Sequence, residues 1–163
     1  HGTRFSIDIA LAPVGAKGRK NALTGPGQND ELFGLRILVI EDDALSREAL
    51  ATLLESWCAT VDKVENMPAA LALVKMGPVP DVIVSDYRLP DGVNGMEAIA
   101  QIRIEAGYDL PACLISGDTD PGLMLAARDA GLTLLHKPVR PAKLRSFLRR
   151  LVVKRQLERR EVE

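Results

Sequence analysis

From residue 35 onward, short apolar runs alternate with longer segments whose apolar residues recur every three to four positions. The runs have the length of buried strands, and the longer segments have the spacing of amphipathic helices that bury one face. The chain therefore predicts five consecutive strand-then-helix cycles. The predicted strands cover residues 37–40, 60–65, 82–85, 112–115 and 132–135, and the predicted helices cover residues 45–57, 69–76, 95–106, 120–131 and the segment from 141.

This alternation indicates an α/β domain in which a parallel sheet is covered by helices on both faces. Right-handed crossovers leave few topologies for five strands. The compact solution is the doubly wound order 2-1-3-4-5. In such sheets the ligand crevice lies beyond the carboxyl ends of the strands, where the winding reverses between strands 1 and 3.

Polar side chains follow four of the five apolar runs. Glu41 and Asp42 follow the first strand, Asp86 the third, Ser116 the fourth and Lys137 the fifth. Neighbouring strands lie about 4.8 Å apart, so this fold would bring the acidic pair to within a few ångströms of Asp86. Without a cation nearby, these carboxylates would repel one another.

Clustered carboxylates with no histidine or thiolate beside them favour Mg²⁺, or Mn²⁺, over zinc. Such a site suits phosphoryl chemistry, because a carboxylate oxygen can attack phosphorus to give an aspartyl phosphate. A bound cation and Lys137 would stabilise charge on the transferring group, and Ser116 could donate a hydrogen bond to a phosphoryl oxygen.

A single aspartate after a strand is usually a turn or helix-cap residue, and Asp43 and Asp91, each taken alone, are best interpreted so. Capping does not explain the combination. Four different strand ends supply an acidic pair, another acid, a hydroxyl and an ammonium group. We therefore interpret the set as a phosphoryl site.

Residues 35–153 resemble a response-regulator receiver domain, a flavodoxin-like fold. The motifs that carry the resemblance are Ile-Leu-Val-Ile-Glu-Asp-Asp, Val-Ile-Val-Ser-Asp-Tyr-Arg-Leu-Pro-Asp-Gly, Leu-Ile-Ser-Gly and His-Lys-Pro-Val. The resemblance implies that Asp86 is the phosphoacceptor. It also implies that Glu41 and Asp42 form an acidic metal pocket with Asp86, and that the backbone carbonyl of Arg88 is a further metal ligand.

By the same resemblance, Ser116 is the hydroxyl of the site and Lys137 the phosphate-binding lysine. A cis peptide bond is implied between Lys137 and Pro138. Receivers often place an aromatic switch residue three positions before the lysine, and here that position holds Leu134. The usual aromatic switch is therefore absent from this sequence.

Residues 1–13 alternate apolar and polar positions in the manner of a half-buried strand. They resemble the last strand of a histidine-kinase ATP-binding domain, and the glycine-rich residues 14–34 have the composition of a flexible linker. Together they suggest the carboxyl end of a hybrid sensor histidine kinase. The chain contains no ATP site of its own, so we expect it to accept phosphate and not to use ATP.

The formal net charge of −1 conceals an uneven distribution. Residues 35–139 carry eight basic and sixteen acidic side chains, whereas residues 140–163 carry nine basic and three acidic ones. The acidic segment disfavours contact with a phosphate backbone and favours a cation or a cationic partner. We interpret residues 154–163 as a charged helical tail rather than a nucleic-acid site, since no DNA-binding unit follows.

The 47% apolar and 26% charged composition is that of a folded globular protein. No apolar run approaches the length of a spanning helix, so no membrane contact is expected. Cys58 and Cys113 are expected to be two buried thiols in the reducing cytoplasm. Cys58 falls where glycine would normally end a helix, so a left-handed backbone at Cys58 would be strained.

The leading hypothesis is a metal-dependent phosphoacceptor module. Its expected partner is a histidine-kinase dimerisation and phosphotransfer domain or a histidine phosphotransfer protein. The alternative is a receiver-shaped interaction module that is not phosphorylated, and intact Asp86 and Lys137 argue against it. A flavin-binding domain is a third reading, which is weakened because acidic strand ends repel a flavin phosphate.

Overall fold

The computed structural model describes residues 32–161, with side chains up to residue 153. The predicted strand within residues 1–13 and almost all of the predicted linker lie outside this range. Five strands and five α-helices alternate along the described chain. They are β1 (Arg36–Ile40), α1 (Ala44–Glu55), β2 (Thr60–Val64), α2 (Met67–Met76), β3 (Val82–Asp86), α3 (Gly95–Ala106), β4 (Ala112–Ser116), α4 (Pro121–Asp129), β5 (Thr133–His136) and α5 (Pro141–Glu161).

The strands form one parallel sheet in the order β2-β1-β3-β4-β5, which confirms the predicted topology. Ile40 pairs with Ser85 at the carboxyl end of β1, so the residues that follow each lie at the same level. Asp86 pairs in turn with Ile115 on β4. The register therefore places Glu41, Asp86 and Ser116 along one edge of the sheet.

Each face of the sheet supports its own hydrophobic core, because successive strand residues point to opposite faces. On one face, Ile37 and Val39 of β1 belong to a cluster that includes residues of α1 and α5. On the other, Leu38 and Ile40 belong to a cluster that includes residues of α2, α3 and α4. Burial on both faces explains why β1 is a continuous apolar run.

Helix caps account for several of the polar residues between elements. Asp43 caps α1, with its Oδ1 accepting from the Ser46 amide at 2.8 Å, and Asn94 forms a capping box with Glu97 at the start of α3. Asp91 lies in a short 3₁₀ turn with φ 63°. The sequence interpretation of Asp43 and Asp91 as a cap and a turn residue is thus confirmed.

The end of α1 differs from the expectation in two respects. The helix ends at Glu55, two residues before the predicted boundary, and Cys58 has a left-handed backbone, with φ 64°. Because the chain turns away there, Cys58 is exposed, so the prediction of two buried thiols is wrong for this residue. Cys113 is buried in β4, and desolvation raises the pKa of its thiol to about 12.

The backbone of the final helix, α5, is helical to Glu161. Within the described part of the chain, no helix is both long and apolar enough to cross a bilayer.

Gly95 is the position where the packing of α3 against the sheet leaves no room for a side chain. A Cβ there would clash with the Asp86 carbonyl and lie 2.8 Å from Leu114 Cδ1 and 2.9 Å from Ser85 Oγ. We expect Gly95→Ala to lower the free energy of unfolding by about 2–3 kcal/mol, as overpacking does in other cores. Urea unfolding measures this change.

Gly117→Ala is the matched control, because no heavy atom beyond its two chain neighbours lies within 4 Å of its ideal Cβ position. Its unfolding free energy should stay within about 0.5 kcal/mol of wild type. Equal stabilities for the two variants would contradict the close packing at Gly95.

Candidate phosphoacceptor site

Three carboxylates meet at the carboxyl edge of the sheet. Ligand oxygens of Glu41, Asp42 and Asp86 all lie within 4.8 Å of one another. Glu41 and Asp86 are buried, and Asp42 is exposed. The cluster joins the end of β3 to the loop after β1, as the positions after the apolar runs predicted.

Lys137 faces the buried pair from the loop after β5. Its Nζ lies 2.6 Å from Asp86 Oδ2 and 3.3 Å from Glu41 Oε2. Its own amide donates to the Ser116 carbonyl at 2.8 Å, which fixes the start of this loop against β4. The predicted cis bond between Lys137 and Pro138 is present.

Ser116 is the buried last residue of β4. Its Oγ accepts a hydrogen bond from the Asp118 amide at 3.0 Å, and the hydroxyl proton can still be donated. At the mouth of the site, the exposed Arg88 guanidinium lies 4.0 Å from an Asp118 carboxylate oxygen. The loops after β3 and β4 are therefore linked above the sheet edge.

The loop that follows Asp86 is held by main-chain contacts. The Tyr87 carbonyl accepts from the Gly95 amide at 2.7 Å, and Arg88 forms an antiparallel bridge with Asn94. The metal-ligand role of the Arg88 carbonyl stays a prediction. Leu134, at the position of the usual aromatic switch, is partly buried against the core beneath α2, α3 and α4.

Burial and mutual repulsion shape the charges of the site. Desolvation, with the nearby Asp86 charge, raises the pKa of Glu41 to about 7, although Lys137 opposes the shift. Burial works to lower the pKa of Lys137, but its hydrogen bonds and charge interactions with Asp86 and Glu41 outweigh burial and raise it. The ammonium group is therefore held in its charged form.

One ammonium group cannot balance three carboxylates. The clustered ligands are all carboxylate oxygens, with no histidine or cysteine among them, and two of the three side chains are buried. Hard divalent cations such as Mg²⁺ prefer this donor set. The residues present therefore fit a magnesium ion.

Sequence reasoning missed one residue beside the cluster. Arg47 Nη1 donates to the Glu41 carbonyl at 2.6 Å and to the Asp42 carbonyl at 3.1 Å. The sequence feature that could have identified Arg47 is its position one turn after Asp43, because a long side chain there extends back over the start of the helix.

Comparison with known proteins identifies the family. Residues 37–149 match the response regulator receiver domain family, which covers more than half of the chain. The chain therefore belongs to this family, as the sequence motifs indicated. It is the receiver domain type found in two-component response regulators, with the five-stranded order of that fold.

Named relatives agree with this assignment. The chain is 30% identical over 112 residues to the two-component response regulator ORR6 of Oryza sativa subsp. japonica, covering 66% of this chain and 65% of ORR6. It is 27% identical over 150 residues to the two-component response regulator ARR2 of Arabidopsis thaliana, covering 90% of this chain and 22% of ARR2. The chain thus spans less than two thirds of either relative.

The fold is similar to that of a solved structure. The chemotaxis protein CheY4 of Vibrio cholerae superposes with a TM-score of 0.64 at 25% identity, covering 72% of this chain and 98% of that protein.

The raised pKa of Glu41 predicts a pH-dependent stability in the metal-free protein. Because the folded state holds this proton up to about pH 7 and a normal glutamate releases it near 4.5, the Glu41 contribution to stability falls as the pH rises through this window. Glu41→Gln carries no such charge. In EDTA at pH 8 we expect it to be more stable than wild type by on the order of 2 kcal/mol, and at pH 4.5 to be similar.

Chemical denaturation at the two pH values measures the difference. Glu55→Gln, which alters an exposed glutamate at the end of α1, should leave the pH dependence of wild type unchanged. A wild-type protein more stable than Glu41→Gln at pH 8 would contradict the electrostatic account.

Proposed function

We propose that this receiver domain accepts a phosphoryl group on Asp86. The observation that carries the proposal is the contact between the Lys137 ammonium group and the buried Asp86 carboxylate, beside two further carboxylates. A buried nucleophile, a cation held at hydrogen-bond distance and a ligand set for a second cation are the components that phosphoryl transfer requires.

The donor that fits this chemistry is a phosphohistidine. An oxygen of Asp86 forms the new P–O bond as the P–N bond of the donor breaks, and the imidazole leaves with the electron pair. Lys137 and Ser116 donate hydrogen bonds to the phosphoryl oxygens. Asp86, Glu41, Asp42 and the Arg88 carbonyl would hold Mg²⁺, which would supply positive charge to the transferring group.

The partner is a histidine-kinase dimerisation and phosphotransfer domain or a histidine phosphotransfer protein. The named relatives are two-component response regulators, which supports this class of partner. The phosphorylated domain either passes the phosphoryl group on or regulates an attached kinase. We do not favour a receiver-shaped module without phosphorylation, because all the side chains that the chemistry needs are present and grouped.

We also propose that the chain comes from the carboxyl end of a hybrid sensor histidine kinase in the cytoplasm. Support comes from the alternating residues 1–13, which resemble the last strand of a kinase ATP-binding domain. Residues 14–34 then form the linker, residues 35–153 the receiver domain and residues 154–163 the charged tail.

This origin predicts what the gene encodes before residue 1. The preceding reading frame should contain the motifs of an ATP-binding domain and a phosphorylated histidine, and genomic sequencing reads it directly. A reading frame without them would contradict the hybrid-kinase origin and leave the phosphoacceptor proposal untouched.

Phosphorylation is tested with acetyl phosphate as a small donor. Incubated with Mg²⁺, the wild-type protein should gain one phosphoryl group by intact-mass spectrometry, whereas Asp86→Asn should gain none, because its amide is not a nucleophile. Lys137→Met should still be phosphorylated but at a rate lower by on the order of 10²-fold, since it loses one preorganised donor.

Asp91→Asn is the matched control. Asp91 is an exposed aspartate in the turn that follows Asp86, and asparagine tolerates its left-handed backbone. This variant should be phosphorylated like wild type. An adduct that persists in Asp86→Asn, or its absence from wild type under varied donor and Mg²⁺ concentrations, would refute the assignment.

A further inference from the structure

Arg47 reaches back from α1 to the loop that carries two of the three clustered carboxylates. Its amide makes the first bond of the helix, donating to the Asp43 carbonyl at 2.9 Å. Its side chain then runs towards the amino end of the helix. There Nη1 donates to the carbonyls of both Glu41 and Asp42, at 2.6 Å and 3.1 Å.

The hydrogen-bond partners of the Arg47 side chain are main-chain oxygens, although carboxylates lie nearby. Three carboxylates, those of Glu41, Asp42 and Asp43, lie in the same loop, and an arginine would ordinarily pair with one of them. Within the part of the chain that the structure describes, the hydrogen bonds of the Arg47 side chain go instead to main-chain oxygens. Arg47 therefore occupies none of the carboxylate oxygens of Glu41 and Asp42.

These two bonds constrain consecutive residues of the loop. On the other side of the loop, the Glu41 amide donates to the Val64 carbonyl of β2 at 3.1 Å. With the backbone fixed from both sides, the directions in which the Glu41 and Asp42 side chains leave it are fixed as well.

We propose that Arg47 is a positioning residue that orients the Glu41 and Asp42 carboxylates for a divalent cation by holding their backbone. The proposal rests on the metal-dependent function proposed above. It concerns a residue that contacts neither the cation nor the phosphoryl group, and it assigns to Arg47 a contribution to cation affinity.

If Arg47 acted through its charge, its removal would change the cation affinity in the opposite direction. A guanidinium close to the site repels a divalent cation, so if charge dominated, removing Arg47 would tighten binding. Positioning predicts weaker binding when the arginine is removed. It also predicts weaker binding in Arg47→Lys, which keeps the charge but loses the planar, forked donor group.

The direct test is the dissociation constant for Mn²⁺, measured by electron paramagnetic resonance of the free ion, in wild type, Arg47→Met and Arg47→Lys. We expect both variants to bind about 10-fold more weakly or worse, the effect typical of lost supporting contacts at metal sites. Arg128→Met is the matched control, since it removes an exposed arginine at the far end of α4, and it should bind like wild type.

A second readout separates positioning from general destabilisation. In the acetyl phosphate reaction, the Arg47 variants should need about 10-fold more Mg²⁺ for half-maximal rate while approaching the wild-type rate at saturating Mg²⁺. A variant that is merely unstable would lose rate at every Mg²⁺ concentration, and a thermal melt of each protein detects this directly.

The outcomes are distinguishable. If wild type binds Mn²⁺, Asp42→Asn loses it, and either Arg47 variant binds within twofold of wild type or more tightly, the positioning role is overturned and the proposed function stands. The role is equally overturned if the rate at saturating Mg²⁺ does not recover in a variant that is folded. If wild type and Asp42→Asn bind Mn²⁺ equally poorly, the metal-dependent function fails, and the role of Arg47 fails with it.

Discussion

The site depends on holding like charges together. Ligand oxygens of three carboxylates lie within 4.8 Å of one another, and two of the side chains are shielded from the water that would weaken their repulsion. Lys137 compensates part of this charge through its contacts with Asp86 and Glu41. The repulsion that remains would be reduced by a bound cation.

The parallel sheet makes this arrangement possible. Its strands end along one edge, so residues separated by up to 96 positions in sequence, such as Glu41 and Lys137, come into contact. Two hydrophobic cores, one on each face, hold the strands in register, and the absence of a side chain at Gly95 lets α3 approach the backbone of Asp86. The packing of the two cores and of α3 thus determines the geometry of the site.

Much of the fold and of the candidate site could be predicted from sequence, because both follow from the spacing of apolar residues along the chain. Apolar runs defined the strands, and the residues after them gave the site. The features that could not be predicted depend on local backbone and side-chain geometry, which the spacing of apolar residues does not determine. Cys58 is exposed because α1 ends at Glu55 and the chain turns with a left-handed residue. Arg47 was missed because hydrogen bonds from a side chain to carbonyls depend on its rotamer and on the path of the loop.

Two segments far apart in sequence, the loop after β1 and the end of β3, should form a single cation site beside Lys137. Nuclear magnetic resonance of ¹⁵N-labelled protein titrated with Mn²⁺ tests it most directly, because the paramagnetic ion broadens nearby amide signals. The amide signals around Asp42, Asp86 and Lys137 should broaden together, at the same low Mn²⁺ concentration. Broadening confined to the exposed Asp42 loop, or spread over acidic residues elsewhere on the surface, would contradict it.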